Sequence, residues 1–154
     1  MKRTTVAETI LRPCAEVFDL VHDYGRRLEW DTLLRKACLL DGAGSAGPGV
    51  RSLCAGKWPS FGIPMVTEYV TFRRGEVAAV KLVNRPPFFR AFAATIRHAP
   101  LGTGRSRIEY IYRFEAKPRW LAWLLEPVMN LRLKRETAKR LKALKDYLER
   151  PPRS

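Results

Sequence analysis

The chain has 154 residues, 29 Lys and Arg against 15 Asp and Glu, and a formal charge of +14. That length suits one domain able to bury a core without disulfides or metal. With 46% hydrophobic and 29% charged residues, a disordered tail, a collagen-like chain and a polytopic membrane protein are excluded. Thr4 to Leu11 is rich in β-branched residues and predicts a first strand. Pro13 suits the first turn of a helix, where its missing N–H is not needed. Cys14, Val17, Phe18 and Val21 then recur at helical spacing through Asp23. Tyr24 to Asp31 predicts a second short helical segment, interrupted near Gly25 and closing on Trp30-Asp31.

From Leu34 to Glu115 the signals are those of strands. Leu34–Leu40 and Gly49–Lys57 flank a loop of Gly, Ala, Ser and Pro. Pro64–Arg73 and Glu76–Val83 are joined by the short turn Arg74-Gly75, and Phe88–His98 and Arg105–Glu115 by Pro100-Leu101-Gly102-Thr103-Gly104. The last strand alternates most cleanly. Ser106, Ile108, Tyr110, Tyr112 and Phe114 share one face, opposite Arg105, Arg107, Glu109, Arg113 and Glu115, with Ile111 alone breaking the polar row. Arg119 to Arg150 predicts one long helix, whose Leu124, Val128, Leu131, Ala138, Leu141, Leu144 and Leu148 supply the apolar stripe. Pro127 is expected to bend or break it near its start. An antiparallel sheet of this size must bury one face, and only the last helix is long enough to cover it.

That order resembles the helix-grip fold of the START / Bet v 1-like (SRPBCC, polyketide cyclase/dehydrase) superfamily. Ile10, Pro13, Glu16, Val17, Phe18, Asp23, Tyr24, Trp30 and Asp31 are similar to its usual opening, and Leu141-Lys142-Ala143-Leu144-Lys145-Asp146-Tyr147-Leu148-Glu149 to its terminal helix. The resemblance implies an α+β fold of about seven antiparallel strands curved around the C-terminal helix, with two short helices after the first strand. Residues 1–150 would form this single domain and 151–154 a short tail. It implies further a pocket between sheet and helix that takes a hydrophobic small molecule, such as a lipid, isoprenoid or polyketide-like compound. Members of the superfamily bind or carry such molecules or cyclise polyketides, and fold alone does not choose between these.

The candidate site residues follow from parity. Tyr110 and Tyr112 are either core tyrosines or hydroxyls aimed at a ligand. On the same logic Phe72, Val80, Leu82, Phe92 and Ile96 would line the apolar wall, and the resemblance implies a place for Trp30 at the pocket mouth. Ala78, Ala79, Ala91, Ala93 and Ala94 fit either side of the sheet. Glu68 shares its face with Val66, Val70 and Phe72. Inward, it would be a carboxylate of raised pKa able to serve as acid or base; outward, it is simply solvated. Glu68, Tyr110 and Tyr112 are therefore the candidate proton donors or acceptors for a cyclase or dehydratase. His22 and Asp23 are adjacent on a helix, about 100° apart, and make a poor relay. Gly42-Ala43-Gly44-Ser45-Ala46-Gly47 matches G-x-G-x-x-G but precedes a strand, not a helix, and is expected to be a hairpin loop. No nucleophile motif is present. Two histidines, with no C-x-x-C among Cys14, Cys38 and Cys54, supply no metal set. No metal and no cofactor is expected.

Half of the excess charge lies between Lys117 and Ser154, which holds eleven basic residues against four acidic ones. Arg132, Arg135, Lys139 and Lys142 form a basic stripe expected opposite the leucines, preceded by Trp120 and Trp123. The stripe is either a solvated face or a surface for an anionic membrane or an acidic partner. No signature of sequence-specific nucleic-acid recognition is visible. Reduced cysteines, and Met1–Glu8 without an apolar run behind its basic residues, point to a cytoplasmic protein, with peripheral membrane contact open. Monomer and homodimer both remain open.

Overall fold

The computed structural model describes residues 3–57 and 63–151. Strand β1 (Thr4–Ile10) leads through Pro13 into α1 (Cys14–Val21) and α2 (Arg27–Trp30). Six further strands follow: β2 (Leu34–Leu39), β3 (Arg51–Gly56), β4 (Pro64–Arg73), β5 (Val77–Leu82), β6 (Phe89–Pro100) and β7 (Ser106–Ala116). A 3₁₀ turn (Arg119–Leu121) then opens α3 (Ala122–Glu149). The strands form one antiparallel sheet in the order β1-β7-β6-β5-β4-β3-β2, curled into a half-barrel around α3. This is the helix-grip architecture, with seven strands as the pattern predicts. The glycine-rich match between β2 and β3 is a hairpin loop, and the three cysteines are free. Gly75 turns β4 into β5 at φ +77°, a backbone conformation that a Cβ would strain.

The hydrophobic face of β7 is buried as its alternation requires: Ser106, Ile108, Tyr112 and Phe114 are inside, with Tyr110 partly so. Pairing aligns Val80, Ala94, Tyr112 and Thr4 in one cross-strand row and Ala78, Ile96, Tyr110 and Val6 in the next. Ala78 and Ala94 thus face inward beside large rings, whose bulk their small side chains accommodate. Phe18, Tyr69, Phe89, Tyr112, Phe114 and Met129 make one core cluster. Ile10, Val17, Leu20, Val21, Trp30, Leu141 and Leu144 make a second, where α1, α2 and the end of α3 meet.

Strand β4 changes parity partway along. Tyr69 is buried and Val70 exposed, and the register shifts between Tyr69 and Thr71. This bulge lets both Tyr69 and Phe72 point inward although they are three residues apart. Glu68, before the bulge and alternating with the inward Thr67 and Tyr69, faces out, 3.7 Å from both Arg51 and Lys81. Its inward, acid–base alternative is thereby removed.

Helix α3 departs from expectation in rotation. Leu124, Val128 and Leu131, expected inside, are exposed together with Ala138, while Met129, Thr137, Leu141 and Leu144 are buried. Apolar residues encircle the first half of the helix (Trp123, Leu124, Leu125, Val128, Met129, Leu131, Leu133), so periodicity alone selects no face there. Polar anchors select it instead. Glu126 accepts the Ala116 N–H at 3.1 Å, and Asn130 Oδ1 accepts both Tyr112 Oη at 3.0 Å and Thr4 Oγ1 at 2.9 Å. Lys145 Nζ donates to the Thr9 carbonyl at 2.7 Å. The helix also runs unbroken through Pro127. The carbonyl that loses its donor there belongs to Trp123, on the exposed side where water can replace it.

Candidate functional site

A cavity of about 150 Å³ lies between the sheet, α2 and α3. An engineered apolar cavity of about that volume admits one aromatic ring. One wall is apolar: Met65 and Val80 from β4 and β5, Phe89, Phe92 and Ile96 from β6, and Leu133 from α3. The other end is polar, built by His22, Tyr24, Arg27, Thr67, Tyr69, Thr137 and Arg140. Tyr110 and Tyr112 also line the cavity.

The polar end starts with a hydrogen-bonded chain. His22 Nδ1 lies 2.8 Å from Tyr69 Oη, which lies 3.2 Å from Tyr24 Oη. Tyr24 donates to Ser52 Oγ at 3.1 Å, and Ser52 reaches Thr67 Oγ1 at 3.1 Å. Each phenol has one proton, so the chain has one polarity. Tyr24 gives its proton to Ser52, Tyr69 therefore gives its own to Tyr24, and His22 must donate through Nδ1–H. Nε2 is then left as a buried lone pair without a partner among the described residues. Burial, reinforced by the charges of Arg27 and His98, pushes the His22 pKa down to about 3. Burial pushes the Tyr69 hydroxyl well above the usual phenol range, with Tyr24 adding to the effect.

Beside this chain two arginines converge on one carboxylate. Arg27 Nε donates to Asp31 Oδ2 at 2.9 Å, and Arg140 Nε lies 2.9 Å from the same oxygen as an ion pair without hydrogen-bond geometry. Asp31 is completely buried. Burial opposes its ionisation, yet the charges of Arg140 and Arg27, with the Arg27 hydrogen bond, overcome this and hold its pKa below the usual carboxylate range. Arg27 has further partners: it also donates to the Val21 carbonyl at 3.4 Å and lies 4.9 Å over the Trp30 ring and 5.8 Å over that of Tyr24. Arg140 is not engaged in this way. It lines the cavity and donates no hydrogen bond among the described residues. Glu136, one turn earlier, also lines the cavity, but Arg132 binds it at 3.2 Å.

The residues singled out from sequence divide into three groups. Tyr110, Tyr112, Val80, Phe92 and Ile96 come together on the cavity wall. Phe72 and Leu82 pack against the core beside it, and Trp30 lies in the second core cluster; none of the three lines the cavity. Tyr112 spends its hydroxyl on Asn130, whereas Tyr110 makes no hydrogen bond among the described residues. Trp120 in the 3₁₀ turn and Trp123, Arg132, Arg135, Lys139 and Lys142 on α3 are exposed and do not line the cavity, though Arg132 pairs with the lining Glu136. Arg27, Tyr69 and Arg140 were not singled out. The Arg27–Asp31 spacing of four residues was the available signal for one of them; nothing local marks Arg140, 109 positions further on. Among the described residues no cluster of His, Cys, Asp and Glu suits a metal.

The family model described as polyketide cyclase / dehydrase and lipid transport matches residues 1–149. The chain belongs to this family. No curated protein matches it by sequence. Among solved structures it is similar to a protein of Thermus thermophilus, with 14% identity, TM-score 0.79, and 96% of this chain and 97% of that one covered. It is also similar to the Zhui aromatase/cyclase of Streptomyces sp. R1128, with 14% identity, TM-score 0.71 and 95% of each chain covered. A START superfamily protein of Mycobacterium smegmatis is 12% identical with TM-score 0.67, covering 92% of this chain and 98% of its own. These likenesses show the START / Bet v 1-like fold, and the family itself is one of polyketide cyclases/dehydrases and lipid-transport proteins. No helix among the described residues is long and apolar enough to cross a membrane.

Proposed function

We propose that the chain binds a small amphipathic molecule with a hydrophobic body and an acidic end, the body against Phe89, Phe92, Val80 and Ile96 and the acid on Arg140. The observation that carries this reading is the charge count at the polar end. Arg27 and Arg140 share Asp31, and Glu136 is already matched by Arg132. One partly buried cation, Arg140, therefore faces the cavity and donates no hydrogen bond among the described residues, and a carboxylate supplies what it lacks. Tyr110 offers a hydroxyl to orient the ligand. Apolar contact supplies most of the affinity, at about 25 cal/mol per Å² buried.

Binding is favoured over cyclase or dehydratase chemistry in the same pocket by the state of the titratable groups. A base working near neutral pH needs a pKa near 7. His22 is held near 3, and burial raises the hydroxyls of Tyr69, Tyr110 and Tyr112. Glu68 is outside.

Native mass spectrometry of freshly purified protein would identify any co-purifying molecule. Calorimetric titration with straight-chain and arylalkyl carboxylates, each beside its matching alcohol, tests the acid preference directly. The acids are expected to bind at least about tenfold tighter, from a charge-assisted hydrogen bond of about 1.5–3 kcal/mol, and Arg140→Gln should abolish the difference. Equal affinity of acid and alcohol would refute the acidic end. Failure of every apolar probe to bind would refute the pocket reading itself.

A further inference from the structure

The outer face of α3 carries an apolar surface that no part of the described chain covers. Trp120 is 76% exposed, Trp123 74% and Val128 68%, and Leu124 and Leu131 are each about half exposed. At 100° per residue, Trp123, Leu124, Pro127, Val128 and Leu131 fall on one side of the helix. The same side continues into the second half of α3 as Lys134, Arg135, Lys139 and Lys142, all exposed. One helix face is thus apolar and aromatic at its start and cationic at its end. A contiguous exposed patch of this kind marks an interaction surface.

Charge selects the partner. From Lys117 to Arg135 there are five basic residues and one acidic residue. That residue, Glu126, is turned inward onto the Ala116 N–H. Glu136, the next carboxylate, is held by Arg132 at the cavity. The α3 border of the apolar patch is therefore basic. Two copies meeting through this patch would bring basic borders together without carboxylates from this stretch to pair them. Nucleic acid would engage the lysines and arginines but has no use for Leu124, Val128 and Leu131. An anionic bilayer matches both halves at once: aliphatic side chains enter the acyl boundary, tryptophans sit at headgroup depth, and the cations meet lipid phosphates.

We infer that α3 docks on the surface of an anionic lipid bilayer, lying in the interface plane with Trp120, Trp123, Leu124, Val128 and Leu131 inserted and Lys134, Arg135, Lys139 and Lys142 over the headgroups. The inference does not depend on what the cavity holds, because the docking face and the cavity lie on opposite sides of the helix.

Flotation of the full chain with vesicles decides it. Binding is expected to vesicles of phosphatidylcholine mixed with phosphatidylglycerol and to be weaker by more than about tenfold on phosphatidylcholine alone. Each charge lost from the basic half should cost about fivefold, the equivalent of about 1 kcal/mol per Lys or Arg near the surface, so Lys134→Gln with Lys139→Gln should cost roughly 25-fold. Trp120→Ala with Trp123→Ala should lose at least about tenfold while leaving the far-UV spectrum and urea midpoint unchanged. In the wild type, anionic vesicles should protect tryptophan fluorescence from an aqueous quencher. Flotation that is indifferent to phosphatidylglycerol, or to the tryptophan pair, overturns the proposal. So does sedimentation equilibrium showing a dimer that Trp123→Ala splits, without vesicle binding, since the patch would then belong to a second copy.

Discussion

Asp31 holds two arginines in place at zero exposure, so its removal and theirs are not equivalent. Asp31→Asn leaves the buried Arg27 guanidinium, and the partly buried Arg140 beside it, without their shared counter-ion, a loss expected to be about 3–5 kcal/mol in urea denaturation. Arg140→Gln leaves the Arg27–Asp31 pair intact and should cost clearly less. The buried imidazoles set the acid response. Burial holds the His22 pKa near 3 and the His98 pKa near 4. Between pH 6.5 and about 4 the unfolded chain binds protons that the folded chain refuses, so stability is full above pH 7 and falls as pH falls. The slope is at most about 1.4 kcal/mol per pH unit for each histidine. The depressed pKa of Asp31 adds further loss once pH drops below the ordinary carboxylate value. His98 has no hydrogen-bond partner for either ring nitrogen among the described residues and meets Phe18 edge-on at 5.3 Å. His98→Phe should therefore flatten the dependence of urea midpoint on pH between 7 and 4.5 without loss at pH 7; an unchanged slope would contradict this account.

Among the elements, β4 and α3 show how local pattern and final orientation separate. In β4 the alternation of Val66, Glu68 and Val70 is real, but the bulge after Tyr69 transfers Phe72 to the opposite parity, and a shift of one residue exchanges the faces of everything beyond it. In α3 the outer leucines look from sequence as well suited to the core as the inner residues. Leu131→Gln is expected to change stability by no more than about 0.5 kcal/mol, whereas Met129→Ala should cost about 2 kcal/mol or more. Paired chemical denaturation curves check the order, and the reverse order would mean that the helix is rotated as its leucine stripe suggests.

At the scale of the whole molecule, the curled sheet and α3 close around a space that their side chains leave unfilled. A ligand that binds only the folded state stabilises it by mass action. At a hundredfold excess over Kd this amounts to about 2.7 kcal/mol, or roughly 5–10 °C in Tm for a domain of this size. A matching carboxylate should give such a shift in the wild type, and Arg140→Gln should reduce it to that of the alcohol; scanning fluorimetry resolves the difference. The net charge of +14 divides into two uses at this scale. Arg27 and Arg140 are structural and face the cavity; the outer lysines and arginines of α3 face solvent beside an apolar stripe.

The fold was legible in the sequence because its determinants are local. Strand alternation, the turn at Arg74-Gly75, Pro13 before α1 and one helix long enough to cover the sheet leave few arrangements open. Five cavity-wall positions followed from parity along β5, β6 and β7, where no bulge intervenes between Val80, Phe92, Ile96, Tyr110 and Tyr112. The polar end of the cavity was not legible. Arg27, Asp31 and Arg140 meet only because α2 and α3 pack together, and Tyr69 turns inward only because of its place in the sheet. The rotation of α3 was likewise settled by Glu126, Asn130 and Lys145 finding partners on distant strands. Periodicity reports how apolar residues are spaced along one element; which face is buried, and which charge is left without a partner, depends on contacts between elements.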